Sequence, residues 1–418
     1  MNTTAIRFDG QDLRLETFEL PKLRDDEILA SVVADMCCPS TTKAIRQGTA
    51  HARVPHDVAQ HPVMIGHEFC GEILEVGTKW RHRYKPGQRY IMQTALNYNG
   101  SLASPGYSYP YVGGNATKVI IPNEVMELNC LLILPPNQPY YAGCLAEPAS
   151  CILGAFNTMY HTQPGSYTHH MGLRPGGNLL ILGGAGPMGM IAVECALHLD
   201  TPPARIIVTD IVAEKLDAAQ RIVSPAHAAQ YCIELAYVNT AGMDNPAQLL
   251  LDMTQGKGYD DVIVNAAVKP LIELGDQVLA RDGCLNMFDG PPSRDYMASV
   301  NFYNVHYSST HYVGMSGGTT DDMRTYLSML ERNTLNPAFI VTHIGGLDSV
   351  PDTLTHLTSI PGGKKLIYTH LRMPLTAIAD FAALGETDPM FAKLARIVQR
   401  HNGMWCAEAE TYLLQKSL

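Results

Sequence analysis

The sequence predicts an α/β protein in which a β-rich N-terminal region is followed by a doubly wound parallel sheet. Short β-branched and apolar runs, separated by Gly, Pro and Asn, fill the first 135 residues. From about Glu147 onward, runs typical of strands alternate with runs typical of helices, and a glycine-rich loop joins one strand to the next helix. Such alternation is typical of a parallel sheet covered by helices on both faces.

The β-rich region contains four predicted strands, in the runs ILASVVADMC, CGEILEV, QRYIMQTAL and TKVIIP. The alternating region contains, in order, the helix EPASCILGAFNTMY, the strand GNLLILG, the helix GPMGMIAVECALHL, the strand RIIVTD, the helix VAEKLDAAQRI, the segment DDVIVNA, the helix VKPLIELGDQVLA and the strand GCLNMF. A different pattern resumes near His311. We therefore predict a first domain over residues 1–155, completed by about 315–418, and a nucleotide-binding domain over 156–314.

Composition and charge narrow the possible functions. The chain of 418 residues is 46% hydrophobic and 17% charged, with a formal net charge of −10 at pH 7. This charge argues against electrostatic binding to nucleic acid or to an anionic membrane. An anionic substrate remains open, because a few local Lys or Arg residues can bind a phosphate.

The N-terminus, the apolar runs and the cysteines predict the cellular compartment of the protein. The N-terminus lacks a basic stretch followed by an apolar core, so we expect no secretory signal. The most apolar run, NLLILGGAGPMGMIAVECAL, is interrupted by glycines and a proline, which fits a strand, a turn and a helix better than a membrane span. The 10 Cys are scattered along the chain, which predicts reduced thiols in a cytoplasmic protein.

The glycine loop is Gly184-x-Gly186-x-x-Gly189, directly after a strand and at the start of a helix. Its glycines permit a tight turn, close approach of the backbone to a pyrophosphate, and close packing of helix on strand. Asp210 ends the next predicted strand, where an acid meets the adenosine ribose, and favours NAD(H) over NADP(H) without deciding between them. A glycine-rich turn without a cofactor is the alternative. The predicted cofactor-binding residues are Gly184, Gly186, Pro187, Met188, Gly189 and Asp210.

Three residues have side chains of the types that zinc accepts: Cys38 in ADMCCPSTTKA, His67 in GHEFCG and Glu147 in LAEPASC. A nicotinamide often acts beside a group that polarises the C–O bond, and zinc does this as a Lewis acid held by about three protein ligands. The alternatives are a hydrogen-bonded surface imidazole at His67 and a helix N-terminal acid at Glu147.

The run PVMIGHEFCGEILEVGTKWRHRYKPGQRY resembles the zinc signature of the medium-chain alcohol and polyol dehydrogenases, GHE-x-x-G followed by a Val-Gly and a Gly-Asp-Arg-Val-like run. The glycine loop, the RIIVTD strand and the later NPAFIVTHIGGLDSVPDTL also fit that family. The resemblance implies a zinc-containing, NAD(P)-dependent oxidoreductase with a GroES-like catalytic domain and a Rossmann nucleotide-binding domain. It also implies a homo-dimer or homo-tetramer, which base rates favour as well.

The resemblance assigns roles to individual residues. Ser40 is implied to relay the substrate proton. Glu68 is implied to be the carboxylate beside the metal-binding imidazole, and its side chain can also turn inward to bind the metal. A register that begins at Cys37 would put Pro39 in the place of Ser40, so Cys38 is the predicted ligand and Cys37 the alternative. The implied ligands of the single catalytic zinc are Cys38, His67 and Glu147.

The chain departs from the family pattern at three places. It has no Cys between Cys70 and Cys130, so we predict that it lacks the structural zinc of many relatives. Thr41 stands where the family often has Asp. Lys43 stands where many members carry a proton-relaying His; it either relays the proton or holds an anionic substrate, and a solvated Lys is the alternative.

These departures, with the tail beyond PGGKKLIYTHL, resemble a narrower branch of the family, the L-sorbose-1-phosphate reductases. That likeness implies a keto-sugar phosphate substrate and D-glucitol 6-phosphate as the product. Three alternatives stay open: a polyol or secondary-alcohol dehydrogenase acting on an unphosphorylated substrate, a nucleotide-binding relative without catalysis, and a metal-free reductase of the same fold.

Substrate contacts are less well defined by the sequence. The insertion SPGYSYPYVGGNATK carries three tyrosines suited either to sugar hydroxyls or to oligomer contacts, namely Tyr107, Tyr109 and Tyr111. A basic cluster near the pocket would favour a phosphorylated substrate. The cations considered for it are Lys43, Arg46, Arg281, Lys364 and Lys365.

Overall fold

The computed structural model describes residues 1–291, 293–332 and 334–415. Positions 292, 333 and 416–418, which fall inside the predicted domain ranges, lie outside the described residues. The chain divides into two compact units. The first unit contains Met1–Pro148 together with the described residues from Thr319 onward, and the second unit contains Ala149–Gly318.

The strands, in chain order, are β1 (Asn2–Phe8), β2 (Leu13–Glu19), β3 (Ile28–Cys37), β4 (Val63–Met64), β5 (Phe69–Val76), β6 (Arg89–Met92), β7 (Lys118–Ile121), β8 (Leu131–Ile133), β9 (Tyr160–His161), β10 (His170–Met171), β11 (Asn178–Leu182), β12 (Arg205–Asp210), β13 (Glu234–Asn239), β14 (Tyr259–Val264), β15 (Leu279–Met287), β16 (His311–Val313), β17 (Val341–Gly346), β18 (Lys364–Tyr368) and β19 (Thr376–Ala377).

The helices are α1 (Pro39–Gln47), α2 (Asn123–Glu127), α3 (Tyr140–Cys144), α4 (Ala146–Thr158), α5 (Pro187–Leu197), α6 (Ala213–Ile222), α7 (Pro225–Ala229), α8 (Pro246–Asp252), α9 (Lys269–Gln277), α10 (Phe302–Tyr307), α11 (Thr320–Glu331), α12 (Val350–His356), α13 (Phe381–Leu384), α14 (Pro389–Arg400) and α15 (Ala407–Leu414). Within the described ranges, none of these helices combines the length and the apolar character that crossing a bilayer requires.

The first unit is built on a sheet with the strand order β19-β17-β18-β3-β5-β6-β8, and β7 also pairs with β3. The long strand β3 is antiparallel to β5 on one side and to β18 on the other. Its β-branched and small apolar side chains are almost all buried, as expected of a central strand. Because β18 comes from the C-terminal part of the chain, that part completes the sheet by pairing with the last residues of β3.

The second unit is a six-stranded parallel sheet with the order β13-β12-β11-β14-β15-β16. Its central strand β11 has the sequence NLLIL, and the four apolar side chains are fully buried. Continuous apolar runs of this kind mark parallel strands covered on both faces. Together with the β-rich first unit, this sheet confirms the predicted α/β fold class.

Several elements of the structure were not predicted, and three of them show why the sequence carries no clear signal for them. Strand β13 lies at the edge of the parallel sheet, and of its six residues only Leu235 is buried. Strand β2 pairs with β1 but has no buried residue in its pattern of exposed and half-buried side chains. Helix α8 is a short segment in which Ala247 and Leu250 are the buried positions. Edge strands and short surface helices bury too little apolar surface to give a strong period in the sequence.

Candidate active site

The site begins at the junction of β3 and α1, where the chain turns sharply. Cys37 is the last residue of β3 and is buried in an apolar cluster of the first unit. Cys38 follows as the N-cap of α1, with Pro39 in the first helical turn, where proline is well tolerated. The ligand atoms of Cys38, His67 and Glu68 all lie within 4.8 Å of one another. The structure therefore directs the sulfur of Cys38, and not that of Cys37, toward His67.

His67 is buried and held from both ring nitrogens. Its Nδ1 lies 3.0 Å from Oγ1 of Thr41, and its Nε2 lies 3.2 Å from Oγ of Ser40. Burial, with the positive charges of Lys364 and Arg53, keeps the pKa of the His67 imidazole well below its ordinary value. A neutral imidazole whose Nδ1–H is held by a hydrogen-bond acceptor presents the Nε2 lone pair, which is the form that binds a metal.

Two hydroxyl groups meet beside this imidazole. Oγ of Ser40 lies 3.0 Å from Sγ of Cys38 and accepts a hydrogen bond of 3.0 Å from the hydroxyl of Tyr107. The Tyr107 hydroxyl also lies 3.2 Å from Nε2 of His67. Burial raises the pKa of Tyr107 well above its ordinary value, so its hydroxyl stays protonated and can donate. The predicted proton-relaying Ser40 thus lies between the two predicted ligands and a second hydroxyl.

Only one of the three tyrosines considered in the sequence enters this site. Tyr107 is buried, and its ring centroid lies 4.8 Å from that of His67. The hydroxyl of Tyr109 instead donates to Glu124 at 2.7 Å, and Tyr111 is 37% exposed. The sequence could not separate these three residues, because their spacing alone does not show which one reaches the ligands.

Glu68 forms a buried ion pair with Lys364 of β18. The Nζ of Lys364 lies 2.6 Å from Oε2 of Glu68, and both side chains are at most 3% exposed. Although burial opposes the charged form, Glu68 and Cys38 raise the pKa of Lys364 above its ordinary value. The buried carboxylate of Asp35 accepts the backbone N–H of Glu68 at 3.1 Å. Glu68 is therefore fixed beside the candidate ligands by contacts on both sides.

The donor set fits zinc. A thiol sulfur, an imidazole nitrogen and a carboxylate are ligand types that zinc accepts, and they converge here in a largely buried place. Burial raises the pKa of the Cys38 thiol to about 12. A metal ion that binds must displace this proton, because the thiolate is the ligand form.

Glu147 lies near this group without belonging to it, and Lys43 lies on α1. Glu147 is half-buried in the first turn of α4, and the compact group of ligand atoms does not include it. After burial and Glu68, its charge also helps to raise the pKa of Cys38. Lys43 is half-buried on α1, three residues after Ser40. The roles of Glu147 as third ligand and of Lys43 as proton relay stay predictions.

The glycine loop of the second unit has the shape that a dinucleotide needs. A Cβ at Gly189 would collide with the backbone of Gly184, so the third glycine permits α5 to pack on the loop. A Cβ at Gly186 would meet no described atom within 4 Å, which leaves open space at the N-cap of α5. Pro187 and Met188 form the first turn of that helix and are half-buried. An open glycine at a helix N-terminus fits a pyrophosphate.

Asp210 and the glycine loop both lie at the carboxyl ends of strands of the parallel sheet. It is the last residue of β12, which is the parallel neighbour of β11. Its Oδ1 accepts the backbone N–H groups of Ile211 at 2.8 Å and Val212 at 3.1 Å. The carboxylate is therefore held at the strand end, where the prediction of a ribose contact places it.

Family models and full-length relatives match this chain. Residues 187–332 match the zinc-binding dehydrogenase family, and residues 24–129 match the alcohol dehydrogenase GroES-like domain. The chain is 49% identical to the uncharacterized protein YggP of Escherichia coli (strain K12), over 98% of this chain and 96% of that protein. It is 48% identical to an L-sorbose 1-phosphate reductase of Klebsiella pneumoniae, over 99% and 97%. It is 44% identical to a mannitol-1-phosphate 5-dehydrogenase of Aliivibrio fischeri (strain ATCC 700601 / ES114), over 99% and 97%.

Solved structures share the fold. The 2R,3R-butanediol dehydrogenase of Bacillus subtilis superposes with a TM-score of 0.72 at 21% identity, over 88% of this chain and 99% of that one. A structure from Sinorhizobium meliloti 1021, bound to NADP, superposes with a TM-score of 0.71 at 18% identity, over the same shares. At these identities the likeness concerns the fold alone.

Proposed function

This chain belongs to the zinc-binding dehydrogenases of the alcohol and polyol family, and we propose that it interconverts L-sorbose 1-phosphate and D-glucitol 6-phosphate with a nicotinamide cofactor. Two of the full-length relatives bear names that specify a phosphate ester of a six-carbon sugar or polyol. The observation that carries the chemistry is the Ser40 hydroxyl, which lies within hydrogen-bond distance of both Cys38 and His67. When a carbonyl group is reduced, its carbon takes the hydride and its oxygen needs a proton, which a hydroxyl beside the metal ligands can supply.

In the proposed reaction Cys38, His67 and Glu147 hold one zinc ion, and the glycine loop with Asp210 holds NAD(H) or NADP(H). When bound, zinc supplies a Lewis acid for the carbonyl oxygen and the reduced nicotinamide supplies the hydride. Ser40 delivers a proton to the product oxygen. The Tyr107 hydroxyl, which donates a hydrogen bond to Ser40 at 3.0 Å, orients the serine hydroxyl and stays protonated, and solvent returns the proton that Ser40 gives up.

We also propose that the protein acts as a homo-oligomer. Helix α10 leaves three aromatic side chains open to solvent, with Phe302 76%, Tyr303 67% and Tyr307 58% exposed. This helix directly precedes β16, the edge strand of the parallel sheet. Adjacent exposed aromatic rings beside an edge strand favour burial against a second copy. Sedimentation velocity of the wild-type protein and of Phe302→Ser tests this, and an unchanged monomer in both would contradict it.

The reaction is tested by following nicotinamide absorbance with L-sorbose 1-phosphate, beside unphosphorylated L-sorbose, before and after treatment with a chelator. We expect turnover of the phosphate ester that the chelator abolishes and added zinc restores. Turnover of the free sugar alone would keep the oxidoreductase and reject the phosphorylated substrate. Chelator-resistant turnover would reject the zinc.

A further inference from the structure

The ring of Tyr107 links the candidate ligands to a group of basic side chains. At its hydroxyl end, Tyr107 contacts Ser40 and His67. Along the ring, His51 stacks with a centroid separation of 6.0 Å and an interplanar angle of 9°. The guanidinium carbon of Arg53 lies 5.4 Å from the same ring centroid. The ring of Tyr107 therefore lies between these basic groups and the side chains of Ser40 and His67.

Helix α1 brings a second cation to the same place. Lys43 lies three residues after Ser40, so the two share one face of α1. The other face is buried through Thr41, Thr42 and Ala44. The charge of Lys43 reaches His51, because Arg53 and Lys43 both add to the effect of burial in lowering the pKa of that imidazole. The lowered pKa leaves the imidazole of His51 neutral, and we name the pair of Lys43 and Arg53 the cationic rim.

Arg53 is held in place by contacts with His51, Ser104 and Ser108. Its Nη1 donates to Oγ of Ser104 at 3.2 Å, and its backbone carbonyl accepts from Oγ of Ser108 at 2.6 Å. Its backbone N–H donates to Nδ1 of His51 at 3.3 Å. The next residue, Val54, is buried in the apolar core beneath. These contacts fix the guanidinium beside Tyr107 before any ligand arrives.

Two other cations of the first unit are held by contacts within that unit. Lys364 forms the buried ion pair with Glu68. The Nζ of Lys365 donates to the backbone carbonyls of Ile360, Pro361 and Gly363, at 3.2, 3.0 and 2.7 Å. Neither ammonium group can turn to a ligand without breaking these buried contacts.

We propose that the cationic rim is the subsite that receives the phosphate group of the substrate. The guanidinium of Arg53 offers a planar pair of donors to two phosphate oxygens, and the ammonium of Lys43 adds a point charge. This inference rests on the proposed function, because it takes the substrate to be a phosphate monoester. It adds the residues that select such an ester over the free sugar or polyol.

The test measures binding and does not depend on turnover. The dissociation constants of D-glucitol 6-phosphate and of D-glucitol are measured by calorimetry on the full chain, with zinc and nicotinamide present. The proteins are wild type, Arg53→Gln, Lys43→Gln and the matched control Lys85→Gln, which removes an exposed cation of the same unit. We expect each rim variant to bind the ester about ten- to a hundredfold more weakly than wild type. Binding of D-glucitol, and both constants of the control, should not change.

The outcomes separate this inference from the proposed function. Rim variants that bind the ester as tightly as wild type overturn the subsite, whatever the enzyme turns over. Wild-type protein that binds the ester no better than D-glucitol also overturns it, while turnover of the free polyol would keep the oxidoreductase. Ester binding that needs Arg53 and Lys43, but without hydride transfer, supports the subsite and refutes the proposed function.

Discussion

Thr41 is the residue that orients the imidazole of His67. Its Oγ1 lies 3.0 Å from Nδ1 in a buried contact, at the position where the family often has Asp. We expect Thr41→Val, which keeps the shape and removes the acceptor, to weaken zinc binding about 10- to 100-fold, because partners of this kind set the tautomer and basicity of a ligand histidine. The measurement is a zinc competition titration against a chromogenic chelator.

A matched control lies one residue further along α1. Thr42 is also buried, but its hydroxyl donates to the backbone carbonyl of Leu354 at 3.1 Å and not to the imidazole. Thr42→Val should therefore cost folding stability and leave the zinc affinity close to that of wild type. Equal losses of zinc affinity in both variants would show that Thr41 acts through helix packing and not through His67.

At the scale of single residues, the motifs predicted the candidate ligands and Glu68 beside them, but not the contacts that Tyr107 and Lys364 make there. Cys38 and His67 stand in short local patterns that fix their type and spacing. The partners come from far along the chain: Tyr107 is 67 residues from Ser40, and Lys364 is 296 residues from Glu68. Only the folded chain brings such residues together. Arg53, which lies against the ring of Tyr107, likewise had no signal in the sequence.

At the scale of elements, the turn from β11 into α5 assigns different roles to two glycines. Gly186→Val should abolish or strongly weaken cofactor binding with little loss of stability, because its side chain would enter the open space where the pyrophosphate fits. Gly189→Val should instead destabilise the second unit, because its side chain would press on the backbone of Gly184. NAD(P)H fluorescence titration and thermal unfolding separate the two effects. A Gly186→Val protein with unchanged cofactor affinity would refute the loop assignment, and its zinc content should be that of wild type.

Within the second unit, Asp282 of β15 holds the β9–β10 hairpin in place. Its carboxylate accepts the N–H of Thr162 at 2.9 Å, the hydroxyl of Thr162 at 2.6 Å and a hydrogen bond from Arg174, and it lies 2.8 Å from Nε2 of His311. Although burial opposes it, the hydrogen bonds from Thr162, His311 and Arg174 lower the pKa of Asp282. We expect Asp282→Asn to reduce the free energy of unfolding by about 1–2 kcal/mol at pH 7. Asn tolerates the backbone φ of 58° at this position, so the loss reports the charge.

The pH dependence of this loss has a definite sign. A lowered carboxyl pKa stabilises the folded state above the ordinary Asp pKa of about 3.9, and the stabilisation disappears as the pH falls through the folded pKa. The difference between wild type and Asp282→Asn should thus be constant from pH 7 to about 5 and shrink below about 4. Urea unfolding followed by circular dichroism at several pH values measures it. A difference that is the same at every pH would mean that the charge of Asp282 contributes nothing.

Element prediction succeeded where burial gives a continuous or periodic apolar pattern. The strands β11 and β12 and the helix α5 are almost entirely buried, and each was predicted near its observed position. The edge strand β13 was not, because half-buried and exposed residues make up most of its length. The order of the strands in the sheet also follows from pairing between distant segments, which no local pattern encodes.

At the scale of the whole molecule, the first unit depends on both ends of the chain. Strand β18 pairs with the last residues of β3, and its Lys364 neutralises the buried Glu68. The second unit is continuous, and its six-stranded sheet is built from strands within Ala149–Gly318. We propose that these units are the catalytic and the nucleotide-binding domain expected from the sequence, and that only the second can fold from one uninterrupted segment.

Fragments test this proposal. A fragment of residues 149–318 should unfold cooperatively and bind the nicotinamide cofactor, with Gly186→Val in the same fragment as the non-binding control.

A fragment of residues 1–148 should not fold, because β3 loses its partner β18 and Glu68 becomes an unpaired buried charge, which costs about 3–5 kcal/mol. Joining 1–148 to 319–418 through a Gly-Ser linker should restore cooperative unfolding, and Lys364→Gln should weaken it again. Cooperative unfolding of 1–148 alone, at the same midpoint as the joined protein, would show that the C-terminal segment only covers a domain that is already stable.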